Sequence, residues 1–183
     1  ELLRVTMSRS INLEFDISPE LPYVRGDPVQ LQQVVMNLIT NASEAIGEGR
    51  GIITVTTGLV AADSAYLSNM TIMDKELPAG NYVFFDISDT GAGMDSETME
   101  KVFDPFFTTS SDGTGLGLAV VQSVAMDHGG LVWLETPAEG GARFVVSLPI
   151  QRRQTLTSRE QHQSAATADR FIPAVCGQSA AAR

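Results

Sequence analysis

The sequence predicts a two-layer α/β sandwich: a mixed β-sheet with helices packed on one of its faces. Three observations carry that expectation. Apolar residues alternate with polar ones in several short runs, and one long segment shows the 3.6-residue period of an amphipathic helix. The resulting order β, α, β, β, α, α, β, β lacks the regular alternation of a doubly wound parallel sheet. With 183 residues, 43% of them apolar, the chain is long enough for one compact domain with its own core.

Taken in order, Ile11, Leu13, Phe15 and Ile17 alternate with Asn12, Glu14 and Asp16, which predicts a strand with one buried face. In Gly26-Asp27-Pro28, Asp27 suits a helix cap and Pro28 its first turn. Leu31, Val34, Val35, Leu38, Ala42 and Ile46 then recur at helical spacing until Gly47 and Gly49. The β-branched run from Ile52 to Thr57 reads as a strand, Leu59 to Gly80 as a long inserted excursion, and Asn81 to Ser88 as a further strand. A short helix is expected from Asp95 to Val102, capped by Asp95 or Ser96. A polar, Gly-bearing loop with the character of a mobile segment follows to Gly115. Leu116 to Asp127 reads as an apolar helix ended by Gly129-Gly130. Leu131 to Thr136 and Ala142 to Leu148 read as strands joined by a turn around Gly140-Gly141. The domain is thus expected over residues 11–150. After it, Gln-, Ser- and Ala-rich sequence with few core-forming residues predicts a disordered tail over 151–183.

Composition narrows the function. No apolar run approaches the roughly 20 residues of a membrane-spanning helix, and the N-terminus lacks the layout of a signal peptide. The single cysteine, Cys176, can form neither an internal disulfide nor a thiolate metal site, which fits a reducing compartment. The expectation is a cytoplasmic domain without direct membrane contact, any membrane-anchored portion lying outside this stretch. The residues after Ile150 carry five basic and two acidic side chains, leaving seven basic and twenty acidic in the body. So acidic a body repels nucleic acid. It would also repel a nucleotide's phosphates, so such a ligand would need a cation and backbone N–H donors.

Three segments carry candidate chemistry. On the long helix Asn37, Asn41 and Glu44 fall at i, i+4 and i+7, on one face. A carboxamide oxygen can ligate Mg²⁺ and its amide can donate to phosphate without adding negative charge. A solvent-facing stripe explains two asparagines equally well. Asp89-Thr90-Gly91-Ala92-Gly93-Met94 follows a strand, and its glycines let backbone approach a flat ligand while Asp89 accepts from an exocyclic amine. Alone, that pattern is more often a plain turn. Gly113-Thr114-Gly115-Leu116-Gly117-Leu118 stands at a helix start, where free N–H groups and the helix dipole favour an anion. A flexible glycine loop is the even alternative. Its spacing is neither the dinucleotide fingerprint nor the Gly-x4-Gly-Lys-Ser/Thr loop.

In conjunction and in this order, the segments resemble the catalytic domain of sensor histidine kinases, within the superfamily that includes gyrase, the chaperone Hsp90 and the mismatch-repair protein MutL. Gln33 to Ala42 resembles the N box, Asp89 to Met94 the first glycine box, Val102-Phe103-Asp104-Pro105-Phe106-Phe107-Thr108-Thr109 the F box, and Gly113 to Leu118 the second glycine box. The likeness runs from about Ile11 to Leu148-Pro149. It implies the α/β sandwich of that superfamily, with ATP and Mg²⁺ as cofactors. Asn41 would ligate Mg²⁺, Asn37 lie near the triphosphate, Asp89 hold the adenine amine, and Gly91 and Gly93 bound the adenine pocket. It implies further nucleotide contacts at Met94, Phe103, Thr109, Thr114, Leu116 and Leu118, and phosphate contacts at Gly113, Gly115 and Gly117 within a lid.

There are two departures. Ser110-Ser111-Asp112 stands where family members commonly continue with Lys and a longer stretch, which removes a cation near the γ-phosphate, shortens the lid and makes slow turnover the expectation. Neither His128 nor His162 resembles the phosphorylated histidine, which in the family lies on a dimerising helical hairpin N-terminal to this domain. Residues 1–10 then read as the remnant of a linker from that hairpin. The expected partners are the hairpin of the same kinase and, indirectly, a response regulator. A self-contained ATPase of the gyrase or MutL kind, with Glu44 as base or orienter, and a non-catalytic nucleotide-binding docking domain are the alternatives.

Overall fold

The computed structural model describes residues 10–62, 78–111, 113–150 and 171–173. In chain order the elements are β1 (Ile11–Ile17), β2 (Tyr23–Arg25), α1 (Pro28–Ile46), β3 (Gly51–Ala62), β4 (Gly80–Asp89), α2 (Ser96–Lys101), α3 (Gly117–Asp127), β5 (Leu131–Glu135), β6 (Arg143–Pro149) and β7 (Phe171–Pro173). Five strands make one sheet in the order β1-β3-β4-β6-β5. β1 runs parallel to β3, with Ile11 opposite Gly51 and Ile17 opposite Thr57, and the other pairs are antiparallel. The sheet is mixed, as its element order predicts.

The local signals explain the helix ends. The Asp27 carboxylate accepts the Val29 N–H at 2.8 Å and Pro28 fills the first turn of α1. Gly47 closes the helix at φ 67°, a backbone conformation that disfavours residues with a Cβ. Between them Val34, Leu38, Ile39 and Ala42 are buried, and Leu31, Val35 and Ile46 pack at the margin of the same core. α3 adds Val121, Val124 and Ala125. Beneath the two helices lie Ile53 and Val55 of β3, Val83 and Ile87 of β4, Val132 of β5, and Phe144, Val146 and Leu148 of β6, which the strand register places on one face. Phe103 meets Phe144 edge to face, with ring centroids 6.2 Å apart.

Alternate residues point to the other face and stand outside that core cluster. There the Arg143 guanidinium bridges the buried Asp86 carboxylate at 2.7 Å and Glu135 at 3.0 Å, and the Trp133 indole N–H donates to Glu135 at 2.9 Å. Asp86, first by its hydrogen bond, holds the Arg143 guanidinium even more firmly charged than usual.

Three features differ from the sequence-based expectations. β3 continues through Leu59–Ala62, which pair with Val83 to Gly80, and Gly80 opens β4; the excursion expected over 59–80 is therefore shorter at both ends. Its residues 63–77 lie outside the described residues. The three-residue strand β2, not foreseen, bridges to Ile150 through Val24 and pairs antiparallel with β7. β7 comes from the stretch expected to be a disordered tail, so Phe171–Pro173 have a backbone partner in the body; the rest of 151–183, and the linker residues 1–9, lie outside the described residues.

Candidate functional site

α1 lies against α3, and their contact brings the first two predicted residues together. The Asn37 side-chain amide donates to the Gly117 carbonyl at 3.1 Å. A Cβ placed on Gly117 would stand 3.8 Å from Asn41 Oδ1 and 4.0 Å from Asn37 Cγ, so the first residue of α3 sits over both carboxamides. Glu44 is exposed one turn further on, and no hydrogen bond or ion pair engages its side chain among the described residues.

Asp89 ends β4 and is buried, 4% exposed. Its Oδ1 accepts the Gly91 N–H at 2.8 Å and, more weakly, the Ala142 N–H at 3.4 Å. Burial raises the Asp89 pKa above the usual carboxylate value, and the two backbone donors partly oppose that. No hydrogen bond among the described residues falls on Oδ2. Since among the described residues no buried side-chain oxygen lacks a partner, Oδ2 is not fully enclosed and is open to a donor from outside.

The glycines beside Asp89 are tight joints between chain segments. A Cβ on Gly91 would stand 2.7 Å from the Ala45 carbonyl oxygen, and Ala92 N–H donates to that oxygen at 3.2 Å, which fastens the segment to the last turn of α1. Gly93 and Gly141 both have positive φ, and a side chain on Gly141 would collide with the Asp89 carbonyl. Thr90 is held twice by Ile52: its N–H donates to the Ile52 carbonyl at 3.2 Å and its hydroxyl accepts the Ile52 N–H at 3.0 Å. Met94 is half-buried against the core.

The loop before α3 supplies the third side. Phe103 is in the core, whereas Phe106 is 75% exposed and has φ 70°, a strained value for a non-glycine residue. Phe106 N–H donates to the Gly115 carbonyl at 2.8 Å, and Gly115, at φ 67°, has no room for a side chain against the Phe106 carbonyl. Gly113 likewise leaves space for the Thr108 hydroxyl. Thr109, Thr114 and Leu116 are exposed, and Leu118 is half-buried at the core edge. Leu116 occupies the N-cap of α3 and makes no side-chain cap, so the amides of the first turn remain available to an acceptor.

The predicted residues therefore form two joined clusters. Asn37 and Asn41 sit midway along α1 with Gly117, the first residue of α3, over them; Asp89, Gly91 and Gly93 attach at Ala45, about 6 Å further along α1 at 1.5 Å per residue. Gly113 and Gly115 are placed by the Phe106–Thr108 loop. Glu44 joins neither cluster. Sequence reasoning missed Ala45, Thr90 and Ala142, whose parts are played by backbone or by a short hydroxyl. It noted Gly141 only as a turn, although two adjacent glycines can signal a close approach.

Residues 26–152 match the family described as "Histidine kinase-, DNA gyrase B-, and HSP90-like ATPase". Among curated relatives, the sensor kinase CckA of Brucella abortus (strain 2308) is 37% identical over 150 residues, covering 81% of this chain. The aligned part spans only 15% of that relative. A mycobacterial sensor histidine kinase, MprB, superposes with a TM-score of 0.61 at 27% identity, covering 81% of this chain and 88% of that one. Full-length ShkA, solved in complex with AMPPNP, gives a TM-score of 0.56 at 27% identity, covering 81% of this chain and 29% of that one.

Proposed function

This chain belongs to the histidine kinase-, DNA gyrase B- and HSP90-like ATPase family, and on that premise we propose that it is the ATP-binding catalytic domain of a two-component sensor histidine kinase. It transfers the γ-phosphate of Mg-ATP to a histidine on a separate helical hairpin of the same kinase, which in turn serves a response regulator. The domain works in the cytoplasm; among the described residues no helix is long and apolar enough to cross a membrane.

The observation that carries this reading is Asn37, whose amide is already committed to the Gly117 carbonyl. The gyrase- and MutL-type ATPases that this sequence resembles place a water-activating glutamate at that position, and a carboxamide is no general base. What Asn37 supplies is position.

Asp89 Oδ2 accepts the exocyclic amine of adenine, and Gly91 and Gly93 admit the flat ring close to backbone. Met94, Phe103 and Leu118 give its apolar surroundings. The open amides at the start of α3 donate to phosphate oxygens, with Gly113, Thr114, Gly115, Leu116 and Gly117 forming the cradle and Thr109 at its rim. Asn41 suits Mg²⁺ because its neutral oxygen stands beside that cradle, and a small hard cation that keeps several waters needs only one or two protein oxygens besides the phosphates. When bound, Mg²⁺ offsets the charge of the triphosphate, an offset that this acidic body and lysine-free loop do not provide. The hairpin's imidazole nitrogen forms a bond to the γ-phosphorus as the bond from that phosphorus to the β–γ bridging oxygen breaks; ADP leaves with the electron pair and the other ring nitrogen gives its proton to solvent. The chain's part is alignment and charge stabilisation.

The test is to incubate the isolated chain with γ-labelled Mg-ATP, alone and with the histidine hairpin of its own kinase. The chain alone should bind Mg-ATP and remain unlabelled, and the hairpin should acquire acid-labile label slowly and in proportion to its concentration, because covalent linkage is absent. Label on His128 or His162 would refute the assignment. Rapid phosphate release without phosphohistidine would favour the ATPase alternative, with Glu44 as its base, and tight binding with neither outcome a docking domain.

A further inference from the structure

Two hydrogen bonds cross between α1 and α3, one near each end of their contact. At the site end Asn37 donates to Gly117. At the other, the Asp27 N–H donates to His128 Nε2 at 3.0 Å, and His128 Nδ1 lies 2.7 Å from the Val124 carbonyl. These partners fix the state of the ring. A carbonyl only accepts, so Nδ1 carries the proton; a backbone N–H only donates, so Nε2 is bare. The neutral ring therefore closes α3 on its own last turn and grips the residue that caps α1. Gly26 makes room for it: a Cβ there would stand 2.8 Å from His128 Cδ2 and 3.0 Å from Nε2.

The two clasps are matched in length. Asp27 and Asn37 are ten residues apart on α1, Gly117 and His128 eleven apart on α3, roughly 15 and 16.5 Å of antiparallel helix. Between them both helices feed one apolar core, Val34 from α1 and Val121, Val124 and Ala125 from α3. Close packing resists sliding but is non-directional, and hydrogen bonds at both ends add a directional constraint on how far one helix stands along the other.

We infer that His128 is a positioning residue for the nucleotide site: its neutral imidazole pins the start of α1 to the end of α3 and so holds Asn37 and Asn41 in register with the phosphate-facing start of α3. The inference rests on the nucleotide reading above. Asp89 should be insensitive to the pin, because its segment is fastened to α1 independently through Ala45.

The experiment compares three variants by calorimetry with Mg-ATP and with adenosine. His128→Phe keeps a ring and loses the acceptor; His128→Gln offers an amide oxygen to the Asp27 N–H; Gly26→Ala crowds the ring. His128→Phe and Gly26→Ala should weaken Mg-ATP about 3- to 10-fold, the worth of one lost hydrogen bond, while adenosine changes less than about 2-fold. His128→Gln should restore most of the Mg-ATP affinity. Equal affinities for the Phe and Gln variants, or equal losses for ATP and adenosine, overturn the inference. Should the unaltered chain itself fail to bind Mg-ATP, the functional reading falls, and amide exchange at the first turn of α3 then decides the pin. Faster exchange in the Phe than in the Gln variant supports it, and equal rates overturn it.

Discussion

Asp89 carries a cost to the fold at the position where the proposed function needs an acceptor. Its pKa is raised first by burial, against the pull of the Gly91 and Ala142 amides. A carboxyl whose folded pKa lies above its unfolded one favours the folded state while protonated. That contribution is complete below the ordinary carboxylate range and is lost as pH rises through the raised value. At neutral pH the charge therefore weakens the ligand-free domain. Asp89→Asn should leave the empty protein as stable at pH 7 or slightly more so, with the difference shrinking in thermal melts as pH falls through the raised value toward the ordinary carboxylate range. Mg-ATP affinity should fall about 10- to 150-fold, since a charge-assisted hydrogen bond is worth roughly 1.5–3 kcal/mol. Unchanged affinity would place adenine elsewhere. The candidate site was legible where its groups are side chains: Asp89, Asn37 and Asn41 stand out by type and spacing. Ala45 and Ala142 were not, because what they contribute is a carbonyl and an amide that every residue possesses.

Among the elements, α1 could be read almost residue for residue, since Asp27, Pro28 and Gly47 mark its ends and the apolar stripe its face. β3 was read short. Gly58 looks like a terminator, yet it sits opposite Phe84, whose ring occupies the space a Cβ would need at 2.7 Å, and the strand runs on. β2 and the parallel pairing of β1 with β3 depend on partners far away in sequence, which periodicity does not encode. The loop before α3 offers the sharpest test of an element's construction. Gly115→Ala puts a methyl against the Phe106 carbonyl and forces an unfavourable φ, so the loop must shift. Mg-ATP affinity should drop at least about 10-fold while adenosine binding is nearly spared, a split that titration with both ligands would reveal. Parallel losses would mean that the loop also shapes the adenine pocket.

At the scale of the whole molecule, the question is whether the C-terminal stretch matters to the body. Three residues of β7 face three of β2, and backbone hydrogen bonds in so short a pair, at about 1 kcal/mol each, contribute on the order of a few kcal/mol. Closing the chain between Ile150 and Phe171 costs about 2.7 kcal/mol by (3/2)RT ln n for roughly 20 residues. The terms nearly cancel. Truncation after Gln151 should therefore shift Tm by no more than about 2 °C and leave Mg-ATP affinity unchanged, as scanning calorimetry with and without nucleotide would show. A fall of many degrees would mean that more than β7 contacts the body.

The placement of Trp133 has a spectroscopic consequence. It is the chain's one tryptophan, and it lies on the sheet face away from the helices and the candidate site, tied to Glu135. Excitation near 295 nm thus reports from a single buried residue on the face opposite the candidate site. If Mg-ATP binds as proposed, an upward shift of the emission transition reads that binding by mass action, about 2.7 kcal/mol at a hundredfold excess over Kd. Nothing need be attached to the chain to make it report.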